Sequence, residues 1–503
     1  MATPTEFRWN RTGAYALYVL LLLLVTYLLN QLDRYALAIC TQPMAQEIGY
    51  GDYGCLELKN VSKAEIGKAG CPKNATEVQC DTYLGPNKTE VCYYDRTGGG
   101  FQYQILAGPI FIVIYTFAGI GLGYLADITN RKLLLAGCLA FWSLMTFLTG
   151  FASEYWHLVI LRFGLGFGEA GCTPFASSLI ADYFAANVRG IALGGYNIGI
   201  YAGYSLSYAL GDFITAANIN GQGWRWVFWI AGVPGFLVAA LIAFTVKEPV
   251  RTRNASLQER SESYETSGLQ KLKMVMACFC SPSLLILCLA GSIRNGAGYV
   301  WGYNTQLYFT TYYPEVSTGQ WLSWIPLVGG SIAVVFGGFI SDRLVKWGPY
   351  ARIWVLIASL TLAAPFAAGT LFFKPPWAFV FQIPTYIIGE MWVSVTLAVV
   401  IELVPSNIRT TAIAYYFFII SNIGGNMPLL VPPIEQALGL RAALYILYPG
   451  CYLLAAAIFA ICILVVKRDI RRKEALDVPD SSPLLADDVR QEDSKGIQTP
   501  DDG

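Results

Sequence analysis

The chain has 503 residues, of which 55% are hydrophobic and only 14% are charged. This composition excludes an ordinary soluble fold and indicates a membrane protein. The 34 basic and 34 acidic residues cancel, so nothing favours a nucleic-acid partner, because phosphate binding needs a surplus of Lys and Arg on one face.

Twelve apolar segments are long enough to cross a bilayer as helices, which takes about 20 residues each. Six fall early in the chain, at 15–44, 104–126, 133–151, 156–181, 190–212 and 225–246. Six more follow, at 283–311, 322–341, 352–372, 377–402, 410–434 and 441–466. The sequence therefore predicts an all-α membrane protein with twelve transmembrane helices.

A polar stretch near the middle of the chain divides these spans into two sets of six. Its mixed charge and lack of an apolar run indicate a linker between two helical bundles. The expected organisation is an N-terminus at 1–13, a first bundle at 14–246, a linker at 247–282, a second bundle at 283–466 and a tail at 467–503.

The short connections between spans differ in charge from one side to the other. Lys and Arg occur on one side, for example in Arg131 and Lys132 and in the run KRDIRRK at 467–473. The opposite connections lack them, as in SEYWH at 153–157. Because positive residues mark the cytosolic side, both termini are expected in the cytosol.

A polar insert at 46–103 lies on the non-cytosolic side and contains four cysteines. An oxidising compartment favours two disulfides among Cys55, Cys71, Cys80 and Cys92, although three pairings are possible. Metal binding by these cysteines is the weaker alternative. The insert also has three glycosylation sequons, at Asn60, Asn74 and Asn87.

The tail is acidic and contains Pro and Ser, so we expect it to be disordered. Within it, the stretch at 480–485 resembles the acidic dileucine signals that clathrin adaptors recognise, with Asp480 four positions ahead of Leu484 and Leu485. A chance occurrence is the alternative. The signal predicts a lysosomal or late endosomal membrane, with the plasma membrane as the other option.

Three segments of the first bundle recur about 220 residues later, which indicates two homologous halves. IADYFAANVRGIA at 180–192 matches VIELVPSNIRTTA at 400–412, GYLAD at 123–127 matches GFISD at 338–342, and Gly168-Glu169 matches Gly389-Glu390. Two repeats of six helices therefore account for the count of twelve.

Acidic and basic residues at the cytosolic helix ends are candidate gate residues, because their ion pairs can form in one state and break in the other. The expected pairs are Asp127 with Arg131, Asp182 with Arg189, Asp342 with Arg343, and Glu402 with Arg409, and Lys132 joins this set. The alternative is that they only cap helices and fix the orientation.

One stretch, GYLADITNRK at 123–132, resembles the signature loop of the major facilitator superfamily. Asp33-Arg34, RFGLGFGEA at 162–170 and LIADYF at 179–184 are similar to its Spinster branch. The resemblance implies two pseudo-symmetric six-helix bundles. It also implies a transporter, since Spinster proteins are linked to the export of lysophospholipids and sphingolipids. The long insert and Arg294 depart from that branch.

Ionisable side chains inside the predicted spans are few, and each costs about 2.5 to 3.5 kcal/mol on insertion scales. Proton coupling requires a buried carboxylate beside a cation that competes with the proton. We therefore predict a coupling network of Asp33, Arg34, Arg162 and Glu169. A static ion pair that fixes helix packing is the alternative.

Arg294 in the seventh span is a candidate anion-binding group. Polar and aromatic residues are expected to line the same substrate site, namely Tyr299, Tyr303, Asn304, Gln306, Glu390, Tyr196, Asn197, Gln382, Tyr386, Tyr415 and Asn422. An arginine flanked by Tyr and Asn suits an anionic or zwitterionic amphiphile.

The sequence has no enzyme constellation and no expected cofactor or metal site, because His157 is its only histidine and no Gly-Lys phosphate loop occurs. The predicted function is alternating-access secondary transport, with proton-linked export of lysophospholipid or a related lipid from lysosomes. A carrier of a small organic anion, such as a sugar phosphate or carboxylate, and a transport-inactive receptor are the alternatives.

Overall fold

The computed structural model describes residues 11–58, 71–72, 76–85, 89–184, 186–249, 276, 278–344, 348, 350–404 and 409–477. Within these ranges a few side chains are not described, among them those of Asp127, Asp342 and Arg409. Helices make up most of the chain, as the predicted fold class requires.

The first six spans are built from eight helices. They are α1 Arg11–Ile48, α3 Phe101–Ala107, α4 Pro109–Ile128, α5 Arg131–Thr149, α6 Tyr155–Glu169, α7 Cys172–Tyr183, α8 Ala186–Ala217 and α9 Gly223–Thr245. The short helix α2, Glu77–Asp81, lies in the insert. The side chain of Asn130 begins α5 by accepting the Leu133 amide at 3.2 Å.

The last six spans follow the same plan. They contain α10 Pro282–Tyr312, α11 Gly319–Leu322, α12 Ile325–Leu344, α13 Ala351–Phe372, α14 Trp377–Gly389, α15 Trp392–Leu403, α16 Arg409–Asn426, α17 Val431–Leu438, α18 Leu440–Tyr445 and α19 Cys451–Asp477. Ser281 caps α10 and Pro282 occupies its first turn, where the missing amide costs nothing.

Ten helical segments among the described residues are long and apolar enough to cross a membrane. The fourth and fifth predicted spans are also helical, but their glycines and polar residues make them less apolar. The prediction of an all-α membrane protein is confirmed.

The buried apolar residues form one large cluster in each part of the chain. We call residues 11–249 the first half and residues 278–477 the second half. The halves contact each other through α1 with α10, α8 with α12, and α4 with α16. The surface between the halves therefore runs through the middle of the molecule.

The insert between α1 and α3 contains a two-stranded antiparallel sheet. Strand β1, Tyr53–Glu57, pairs with β2, Cys92–Arg96, so that Tyr53 lies opposite Arg96. Disulfides join Cys55 to Cys80 and Cys71 to Cys92. A disulfide sulfur is not a thiolate ligand, so this pairing disfavours the metal alternative.

Two expected boundaries differ from the observed ones. Helix α1 ends at Ile48 and α3 begins at Phe101, so the insert is a few residues shorter than 46–103. Helix α19 continues to Asp477, so the expectation of disorder from residue 467 is wrong for its first turns. The reason is that Arg, Lys, Glu, Ala and Leu in this stretch all favour helix.

Some predicted features lie outside the described residues. These are the sequons at Asn60, Asn74 and Asn87 and the tail signal with Asp480, Leu484 and Leu485. Glycosylation and sorting therefore stay predictions.

The disulfide pairing can be tested by removing one cysteine at a time. Cys55→Ala should leave Cys80 as the one newly alkylatable thiol of the insert, and Cys71→Ala should leave Cys92. Mass spectrometry of peptides alkylated without reduction measures this. Cys462→Ser, at a buried free cysteine, should leave both bridges intact, and a peptide joining Cys55 to Cys71 or Cys92 would contradict the pairing.

Candidate functional site

A buried ion pair lies in the first half, between α1 and α6. Arg34 Nη2 is 3.0 Å from Glu169 Oε2, and the two side chains are 9% and 0% exposed. The Arg34 guanidinium lies over the rings of Phe111 and Tyr115 of α4, at 4.6 and 5.0 Å from their centres. Aromatic faces and a carboxylate thus replace the water that the arginine loses on burial.

Asp33 and Arg162 complete this group, so the structure brings together all four residues of the predicted coupling network. Both terminal nitrogens of Arg162 donate to the main-chain carbonyl of Arg34, at 3.4 Å each. Asp33 is 2% exposed. Among the described residues, Asp33 Oδ1 and Glu169 Oε1 have no hydrogen-bond partner. Each is therefore an acceptor atom that a proton can occupy.

Glu169 stands where the fourth span is interrupted. Helix α6 ends at Glu169 and α7 begins at Cys172. A Cβ on Gly168 would lie 2.8 Å from the Cβ of Trp142, so only glycine allows α6 to approach α5 this closely. The break positions the carboxylate at a helix end, in the middle of the span.

The second half contains a matching buried ion pair between α10 and α14. Arg294 Nη2 lies 2.8 Å from Glu390 Oε1 and donates to the Gly389 carbonyl at 2.8 Å. The guanidinium lies over the rings of Tyr452 and Trp392, at 4.3 and 5.2 Å. Like Glu169, Glu390 follows a glycine at a break between two helices. The sequence repeat therefore extends to a repeated ion pair.

Arg294 is 1% exposed and is one arm of an ion pair, so its predicted anion-binding role stays a prediction. Its partner Glu390 is 19% exposed and is close enough to Tyr201 of α8 to interact with it electrostatically. The Tyr201 ring packs against Gly330 of α12. The second ion pair therefore borders the first half.

Two tyrosines of α10 lie next to the first ion pair. Tyr299 and Tyr303 are close enough to interact electrostatically with Arg34, and their rings stack 5.7 Å apart. Tyr303 also lies 5.6 Å from the ring of Tyr35 in α1. Both tyrosines were predicted as substrate-binding residues, and the structure brings them to the boundary between the halves.

Contacts between the halves also occur at the end that bears the insert, which we call the outer end. The Tyr103 hydroxyl donates to the Tyr303 carbonyl at 2.5 Å, and Gln104 Nε2 donates to Asn304 Oδ1 at 2.6 Å. Gly108 and Gly425 approach so closely that a Cβ on Gly108 would lie 2.8 Å from the Gly425 oxygen. These bonds hold the outer ends of α3 and α10 together.

Asp212 of α8 makes a further outer contact. Its Oδ2 accepts from Ser317 Oγ at 2.6 Å and from the Gly319 amide at 2.8 Å. Sequence reasoning missed Tyr103, Gln104 and Asp212 as contact residues. Their positions in the sequence do not predict these contacts. The acceptors for Tyr103 and Gln104 are a main-chain carbonyl and an amide side chain of α10, about 200 residues away.

The other predicted substrate residues have varied surroundings. Tyr196 stacks on Tyr27 at 4.6 Å, and Gln306 Oε1 accepts from Thr318 at 2.5 Å. Gln382 is fully buried with both amide atoms unpartnered among the described residues. Tyr386 is largely buried, Asn197 and Tyr415 are half-buried, and Asn422 donates to its own helix at Phe418. Their binding roles stay predictions.

The candidate gate residues of the first half pair differently from the expected scheme. Arg131 lies 2.6 Å from Asp182 and 2.9 Å from Glu248. Arg189 instead donates to the Ala181 carbonyl at 2.8 Å. Lys132 Nζ donates to the carbonyls of Ala243 and Val246 at the end of α9.

The second half repeats this arrangement with a residue that the sequence analysis did not single out. Arg352, at the start of α13, lies 2.5 Å from Glu402, as Arg131 at the start of α5 lies beside Asp182. Partners come from neighbouring helices rather than from nearby sequence positions, because helix starts and helix ends meet at the inner end. Arg343 is exposed, and the side chains of Asp127, Asp342 and Arg409 lie outside the described part.

The second buried ion pair should matter for stability. Arg294→Gln leaves the partly exposed Glu390 carboxylate without its partner, which should cost less than the about 3 to 5 kcal/mol of a fully buried pair. Thermal unfolding of the purified protein should show a clear loss of stability for this variant. The double variant Arg294→Gln/Glu390→Gln should recover part of that stability. Glu47→Gln, in a pair where Glu47 is 45% exposed, should cost about 1 kcal/mol or less. Equal losses for the two single variants would contradict the assignment.

Comparison with known proteins agrees with this architecture. The sequence profile of the Major Facilitator Superfamily matches residues 23–427. Protein spinster homolog 1 of Xenopus tropicalis is 28% identical over 318 residues, which cover 59% of this chain and 58% of that protein. The matched region thus spans less than two thirds of that relative's length. The sphingosine-1-phosphate transporter SPNS2 of Danio rerio is 33% identical over 148 residues, 29% of each chain.

A solved structure is also similar. It is a bacterial homolog to the human lysosomal transporter Spinster, in an inward-facing and unoccupied conformation. It superposes with a TM-score of 0.67 at 21% identity and covers 93% of this chain and 99% of its own. This likeness shows the fold. The chain belongs to the Major Facilitator Superfamily and resembles its Spinster branch.

Proposed function

We propose that this protein is a secondary active transporter that works by alternating access and couples the movement of an anionic lipid to protons. The observation that carries the proposal is the buried group of Asp33, Arg34, Arg162 and Glu169. Two of its carboxylate oxygens lack a partner among the described residues, although the group lies in the interior of two membrane spans.

Coupling would follow from competition at Arg34. A proton on Glu169 removes the negative charge that Arg34 needs, and an unpaired buried cation is strongly unfavourable. An anionic headgroup supplied by the substrate restores the pairing. Loss of the proton on the other side returns Arg34 to Glu169 and releases the substrate. Proton and substrate would thus travel in the same direction, as in symport.

The proposed substrate is a lysophospholipid or a related lipid with an anionic headgroup. Its support is the resemblance to Spinster homologs and to a sphingosine-1-phosphate transporter, together with Arg34 beside the stacked rings of Tyr299 and Tyr303. Guanidinium groups bind phosphate, and aromatic walls accept the apolar part of an amphiphile.

The proposed location is the lysosomal or late endosomal membrane, with export towards the cytosol. The support for this location is the tail stretch at 480–485, whose sequence resembles an acidic dileucine signal for clathrin adaptors. Protons are more concentrated in the lumen of these compartments, so symport would drive the lipid outward.

Transport by purified protein in liposomes tests the coupling role. Asp33→Asn and Glu169→Gln each remove a protonatable group, so the part of lysophospholipid or sphingosine-1-phosphate flux driven by a pH gradient should fall to background. Glu47→Gln, a carboxylate at the outer end paired with Arg225, should retain it. Thermal unfolding checks that each variant is folded. Wild-type flux in folded Asp33→Asn and Glu169→Gln would refute the coupling role.

The sorting signal is tested separately in cells. Leu484→Ala/Leu485→Ala should move the protein from lysosomes to the plasma membrane, since the adaptor then loses its apolar contact. Surface biotinylation and co-staining with a lysosomal marker measure the shift. Val478→Ala is a control with an apolar residue outside the motif, and unchanged lysosomal residence of the double variant would rule the signal out.

A further inference from the structure

A small groove lies at the inner end of the last helix, outside the two ion pairs. It is open to the surface, has a volume of about 310 Å³ and is lined by Tyr350, just before α13, and by Leu464, Lys467 and Arg468 of α19. We call it the basic groove. Its wall is apolar towards the membrane and positively charged towards the cytosolic side, as the positive-inside rule orients the chain.

The neighbouring acid Asp469 pairs only weakly with the charges of the basic groove. The Arg468 side chain is 70% exposed and lies 3.8 Å from Asp469 at the limit of an ion pair. Asp469 instead accepts the Ser283 amide at 3.0 Å and is itself 6% exposed. The guanidinium of Arg468 is therefore available to a ligand.

The apolar wall belongs to the lipid-facing surface. Leu464 is 82% exposed although it lies within a membrane span, so a lipid chain covers it in the bilayer. The groove thus joins a surface in contact with acyl chains to a pair of cations one turn further along the same helix. A single phospholipid matches both parts, because its acyl chain fits the apolar wall and its anionic headgroup fits the cations.

Charge density continues beyond the groove. Helix α19 extends to Asp477, and its sequence has Arg471, Arg472 and Lys473 in the next turn. At 1.5 Å per residue, positions 467 to 473 span about 9 Å along the axis, which is comparable to the depth of the headgroup layer.

We propose that the basic groove binds a phosphoinositide of the cytosolic leaflet, with the headgroup phosphates on Lys467 and Arg468 and an acyl chain along Leu464. Clusters of Lys and Arg directly after a membrane helix bind such lipids. A phosphate carrying more than one charge matches several cations better than a zwitterionic headgroup does. The site is independent of what the protein transports.

Native mass spectrometry of the full-length protein in mild detergent tests the proposal. The probes are phosphatidylinositol phosphate, phosphatidylcholine and a water-soluble inositol phosphate without acyl chains. Wild-type protein should retain phosphatidylinositol phosphate in preference to the other two. Arg468→Gln should weaken this binding about fivefold, and Lys467→Gln/Arg468→Gln about 25-fold, if each charge contributes as near an anionic surface.

Lys247→Gln is the matched control, because Lys247 is an exposed cation at the inner end of the first half and lies outside the groove. It should bind phosphatidylinositol phosphate as the wild type does. Leu464→Ser should weaken binding of the lipid and leave binding of the soluble inositol phosphate unchanged. The proposal is overturned by equal retention of phosphatidylcholine, by equal losses in Arg468→Gln and Lys247→Gln, or by a soluble inositol phosphate that binds as tightly as the lipid.

Discussion

The cost of burying a charge in an apolar interior organises this protein. An arginine that leaves water needs a carboxylate, an aromatic face or a carbonyl in its place. Arg34 has Glu169 with Phe111 and Tyr115, and Arg294 has Glu390 with two rings of its own half. Both carboxylates stand at interrupted helices and directly follow a glycine, and in the first half that glycine, Gly168, allows close packing.

This repeated arrangement gives each half a similar unit, and the surface between the halves connects the two. Tyr299 and Tyr303 of α10 are within electrostatic range of Arg34, and Tyr201 of α8 is within electrostatic range of Glu390. Each half therefore contributes side chains to the surroundings of the other half's ion pair. In the proposed mechanism, a change of charge at one pair would therefore be felt at the contact between the halves, which is what coupling through a two-state element requires.

Hydropathy and charge were sufficient to predict the helices and to locate the ionisable residues inside them. Twelve apolar segments and six rare intramembrane charges are visible without coordinates, because membrane burial makes both conspicuous. Partners were less predictable. Asp182 was matched to Arg189 by proximity in sequence, yet Arg131 is its partner. Arg352 was not singled out, although it follows Arg131 in the sequence by about the offset of the repeat. Disulfide pairing and the outer contacts depend on folding, which the spacing of residues does not encode.

The two ion pairs differ in the exposure and hydrogen bonding of their carboxylates, which suits them to different roles. Glu169 and Asp33 are 0% and 2% exposed, and each has an oxygen without a partner among the described residues. Glu390 is 19% exposed and its arginine is also bound to the Gly389 carbonyl. A dry carboxylate with a free oxygen is suited to hold a proton, because water does not compete for the group. A carboxylate at the boundary between the halves is better suited to register their movement. The symmetry of the fold thus produces two similar pairs, and the additional charges of the first half are the reason that we place the proposed protonation there.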